Sequence, residues 1–112
     1  MNTQEITKIA INALEDLKGD DIVVIDTSKA SALFNAIIVC SGSSTRQVSA
    51  LAHNVTEDFK TNGIRIIGIE GKKGGEWVLV DGGDVVVHIM LPRVRSYYSL
   101  EELWNNDHTK QE

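Results

Sequence analysis

A chain of 112 residues, 42% hydrophobic and 24% charged with a single proline, has the length and composition of one folded domain and is too short for a second core. Eleven basic and sixteen acidic residues leave a formal charge of −5, which repels a phosphate backbone, opposes non-specific nucleic-acid binding and suits a basic protein partner. One cysteine excludes a disulfide framework, and no run approaches the roughly 20 apolar residues of a membrane span, so a soluble protein of a reducing cytoplasm is expected.

From Thr3 to Lys18 the residues Ile6, Ile9, Ala10, Ala13, Leu14 and Leu17 form the stripe of an amphipathic helix, with Gly19 as its expected left-handed C-terminal residue. The start, Met1-Asn2-Thr3-Gln4-Glu5, lacks the basic region of a secretory signal. Ile22-Val23-Val24-Ile25 and Ala36-Ile37-Ile38-Val39-Cys40 are short β-branched runs that read as strands buried on both faces, central in a sheet. After Ser41-Gly42-Ser43-Ser44, Val48, Leu51, Ala52, Val55 and Phe59 mark a second helix. Ser43 or Ser44 is its N-cap and Asn62-Gly63 its stop. Three strand-like runs follow, Ile64 to Ile69, Trp77 to Val80 and Val85 to Leu91, joined by glycine-bearing turns into an antiparallel meander. Pro92 stops the last strand, and Ser99 to Trp104 predicts a short closing helix with Leu100, Leu103 and Trp104 on one side. The order predicts an α/β (α+β) fold, a mixed sheet of five strands with helices packed against it. Residues 1–105 form a single domain and 106–112 a polar, frayed tail.

Few features carry chemistry. The turn Ser41 to Arg46 between strand and helix could cradle an anion, but it lacks the further glycines of a dinucleotide fingerprint and the Gly-Lys-Ser/Thr of a P-loop, so a serine-capped turn is the plainer reading. Asp81 and Asp84 could hold magnesium in a nucleotidyltransferase. Two carboxylates on one face of a strand must stand two apart, however, and these stand three apart across two glycines, as in a turn closed by its own Asx bond. His53, His88 and His108 lack the spacing of a zinc site, and Cys40 reads as a quiet buried thiol. His88 shares its strand face with Val86 and Met90, where burial against a hydrogen-bond partner and a functional role weigh equally. The large aromatics cluster late. Trp104 and one tyrosine are assigned to the core, whereas Trp77, after a glycine-rich loop at a strand end, is balanced between packing and docking.

Taken together, the segments Ile38 to Val48, Glu70-Gly71, Trp77 to Asp81, Gly83 to His88 and Tyr98 to Trp104 resemble the ribosomal silencing factors RsfS, or Iojap-like proteins, over nearly the whole chain. The resemblance implies a homodimer-capable fold, nucleotidyltransferase-like in outline. It implies binding to the large ribosomal subunit through ribosomal protein fourteen, steric blocking of small-subunit joining, and repression of translation when nutrients run short. It implies no catalytic residue, cofactor, metal, membrane or sequence-specific nucleic acid. By position, its partner-facing surface falls on Glu70, Trp77, Asp81, Asp84, His88 and Tyr98. One departure is Asn35, where the family commonly has aspartate; the loss weakens the alternative of a small nucleotidyltransferase using Asp81, Asp84 and the Ser43 turn.

Overall fold

A computed structural model describes residues 1–99. In chain order the elements are α1 (Thr3–Asp16), β1 (Asp20–Asp26), β2 (Ala36–Ser41), α2 (Thr45–Thr61), β3 (Gly68–Glu70), β4 (Trp77–Asp81), β5 (Val85–Met90) and α3 (Pro92–Tyr98). The strands make one mixed sheet in the order β1-β2-β5-β4-β3. Only the β2–β5 pair is parallel, because α2 lies on the crossover between them. The expected α+β class and the β3-β4-β5 meander are both present.

Both long helices lie on one face. Asn2 and Glu5 close a reciprocal capping box at the start of α1, and Ser44 caps α2 by accepting from the Gln47 N–H. Their apolar stripes, including Leu14, Val48, Leu51, Val55 and Phe59, meet Ile38, Val78, Val80, Val87 and Ile89 in the main core. On the opposite face, Ile25, Ile37, Val39 and Met90 form a smaller cluster under Val94 of α3.

Several expectations need correction. The run Ile22 to Ile25 forms an edge strand, not a central one, and Val24 is 46% exposed. A short apolar run looks the same at an edge as in a centre, since burial is decided by what packs on it. The third strand is only Gly68–Glu70; Ile64 instead packs back beside the end of α2, its N–H donating to the Phe59 carbonyl. Pro92 does more than stop β5. It occupies the first turn of α3, where its missing N–H costs nothing, and Ser99 ends that helix in the left-handed region. The remainder of the expected closing helix, with Trp104, lies outside the described residues, as does the expected tail.

At the end of α1 the left-handed position belongs to Lys18 (φ 60°), and the Lys18 and Gly19 N–H groups close a Schellman pair on Glu15 and Leu14. Gly19 is required for a different reason: a Cβ there would stand 2.5 Å from Cys40 Sγ.

Candidate partner-binding face

Strand alternation sends Val78 and Val80 into the helix-side core and leaves Trp77, Leu79 and Asp81 on the outer face. On β5 the same rule gives Val86, His88 and Met90 to that face. Register then sets Glu70, Leu79 and His88 in a row across β3, β4 and β5, with Asp81 beside Val86 and Trp77 beside Met90.

Trp77 Nε1–H donates to His88 Nδ1 at 3.0 Å. Burial pushes the His88 pKa down to about 4, so the ring is neutral at pH 7. With Nδ1 accepting, the ring proton is on Nε2. The Trp77 ring also lies 4.9 Å from that of Tyr98, and Tyr97 meets Tyr98 edge-on at the same separation. Both tyrosines are displayed: Tyr97 is 81% and Tyr98 54% exposed, which corrects the expectation that one belongs to the core. An Arg93–Glu76 ion pair at 2.8 Å links α3 to the approach to β4. Gly71 (φ 86°) turns so close to the Trp77 carbonyl that a Cβ would collide with it.

Of the six residues expected to face a partner, Trp77, His88 and Tyr98 form one cluster. Glu70 joins it through a small hollow it shares with Gly71, Trp77 and Leu79. Asp81 stands at the far end of β4, where Oδ1 accepts from the Gly83 N–H at 2.8 Å, the Asx closure expected of this turn. It borders a groove of about 470 Å³ that His88 also lines. Asp84 lines neither hollow; it lies in the turn before β5, where its carbonyl accepts from the Asn35 and Ala36 N–H groups. Leu79, Tyr97, Leu33 and Ile67 were not anticipated. Alternation along Trp77 to Asp81 carries the signal for Leu79, whereas Ile67, expected in the strand-like run Ile64 to Ile69, stands in a loop, and Leu33 has no periodicity to announce it.

The other candidate features are occupied within the fold. At the serine turn, Gln47 Oε1 accepts from both the N–H and the hydroxyl of Ser43, so that turn is satisfied internally. Asn35 donates to Thr3 Oγ1 at 3.0 Å. Cys40 is buried, and desolvation pushes its thiol up to about 11. Among the described residues no three His, Cys, Asp or Glu side chains converge on one point. Nor is any described helix long and apolar enough to cross a membrane. A larger hollow, about 640 Å³, lies between α1 and the edge strand β1, and none of the six residues lines it.

Fold and face together define a class: a small α+β protein with its two long helices on one side of a mixed sheet and, on the other, the short helix α3 beside an aromatic, acid-flanked surface. Residues 1–112 match the family model described as "Ribosomal silencing factor during starvation", RsfS, and the chain belongs to that family. It is 59% identical over 104 residues to a ribosomal silencing factor RsfS of Chromobacterium violaceum, covering 93% of this chain and 85% of the relative. It is 41% identical over 106 residues to that of Bacillus subtilis, covering 95% and 90%. A crystal structure of a Chromobacterium violaceum protein superposes with a TM-score of 0.92 at 58% identity, covering 94% of this chain and 88% of the other.

Proposed function

We propose that this chain silences ribosomes without catalysis. In this reading it docks in the cytoplasm on the large ribosomal subunit, through ribosomal protein fourteen, and its bulk keeps the small subunit from joining. The observation that carries the reading is the Trp77–His88–Tyr98 cluster on the outer sheet face, with Glu70 at its edge. Trp and Tyr anchor interfaces because they supply large rigid area and a polar handle, while carboxylates beside them favour a basic surface. The family membership supports the same reading, and a chain of charge −5 is drawn toward a basic ribosomal protein while it is repelled by ribosomal RNA. We also read the free chain as a homodimer, which light scattering across a concentration series tests.

Co-sedimentation with purified large subunits is the direct experiment. Truncating an anchor costs about 2 kcal/mol or more, whereas reversing a rim charge acts mainly on association and its salt dependence. Trp77→Ala is therefore expected to weaken binding at every salt concentration, and Glu70→Lys to weaken it most at low salt. Folding of each variant is checked by circular dichroism. If the parent chain fails to pellet with large subunits, the function is wrong; if both folded variants pellet like the parent, the anchors are wrong.

A further inference from the structure

We propose that the groove beside His88 is a socket for a bulky apolar side chain that stands next to an arginine or lysine on the partner's surface. The inference rests on the docking reading above and names what that face recognises.

The groove, about 470 Å³, has Leu79 and Val86 of adjacent strands beneath it and Leu33 and Ile67 from two separate loops among its lining. Leu33 is 84% and Ile67 59% exposed. A single exposed leucine or isoleucine is ordinary. Two of them bordering one apolar hollow, next to an aromatic cluster, make a continuous patch of the kind that marks an interface. Hydrogen bonds hold both loops in place: the Ile67 N–H donates to the Asp81 carbonyl at 2.8 Å, and the loop of Leu33 is closed at its base by the Thr27 N–H donating to the Asn35 carbonyl at 2.9 Å and the Thr27 hydroxyl to the Phe34 carbonyl at 3.3 Å.

The polar groups of the groove select the neighbour of that apolar side chain. Asp81 is the charged residue among those lining it, and one of its oxygens already accepts from Gly83. Neutral His88 adds no positive charge and keeps Nε2–H as a donor. Apolar surface with a carboxylate at its border matches an apolar side chain flanked by a cation. A second copy of this acidic chain would bring like charge to the same border, so a basic protein partner is the occupant the charges favour.

The test uses the full chain and purified large subunits in a salt series. Ile67→Ser and Leu33→Ser alter exposed side chains, so melting temperatures are expected at the parent value, while binding weakens about tenfold or more at every salt concentration, as loss of an apolar anchor requires. Asp81→Asn retains an oxygen for the Gly83 N–H and removes only the charge. It is expected to weaken binding at low salt and to flatten the salt dependence. If the parent binds and both serine variants bind equally well, the socket is wrong while docking stands. If Asp81→Asn leaves the salt dependence unchanged, the cation is wrong. If the serine variants lose self-association but keep subunit binding, the occupant is a second copy and the proposal falls. A parent chain that does not bind overturns both the docking reading and the socket.

Discussion

Because burial holds the His88 pKa at about 4 against an ordinary 6.5, the unfolded chain takes up a proton between those pH values that the folded chain refuses. The stability contributed by neutral His88 is therefore complete above about pH 6.5 and is lost as pH falls toward 4, amounting to roughly 3 kcal/mol over the window. Replacing His88 with glutamine keeps an acceptor for the Trp77 N–H and removes the titration. Urea unfolding at pH 7 and pH 5 is expected to show the parent losing about 2 kcal/mol more than His88→Gln between the two. Equal losses in both proteins would refute the assignment. The sequence placed His88 on the face of Val86 and Met90, and the structure agrees. Its bond to Trp77, eleven positions away in the chain, could not be read there, because it depends on how β4 and β5 are paired.

At the scale of elements, the local signals were legible wherever local chemistry decides. Ser44 caps α2, the apolar stripes of α1 and α2 face the sheet, and β2 is buried along its whole length. The Asn2–Glu5 capping box is another such device: Asn2→Ala should cost about 1 kcal/mol, seen as a lower melting temperature with the fold unchanged. A melting temperature at the parent value would mean that tertiary packing alone holds the start of α1. The elements misread were those that local chemistry leaves open. Pro92 is compatible both with stopping a strand and with opening a helix, and the contact of Val94 with Met90 and Val39 favours the helix. Ile22 to Ile25 has the residues of a central strand, yet it lies at the edge of the sheet.

Across the whole molecule the two faces of the sheet differ in how deeply they are covered. Phe59 is fully buried among the helix-side core residues, so Phe59→Ala is expected to cost about 3–5 kcal/mol, while Leu79→Ala on the half-open outer face should cost under about 2 kcal/mol. Chemical denaturation of the two variants checks the contrast, and comparable losses would show that the outer face is as tightly packed as the core. That asymmetry allows the outer face to display Trp77, Tyr98 and the groove without exposing the main core. The sequence by itself determined the two long helices, the family, and the strand face that His88 shares with Val86 and Met90, because each follows from a local period or a motif read along the chain. Only the tertiary structure decided that β1 is an edge, that Trp77, His88 and Tyr98 touch, that Asp84 stands apart from both hollows, and that Leu33 and Ile67 border one groove. Those facts depend on strand order, register and loop path, which bring together residues far apart in the chain, and a periodic pattern records only the face on which a side chain lies, not the neighbour it meets there.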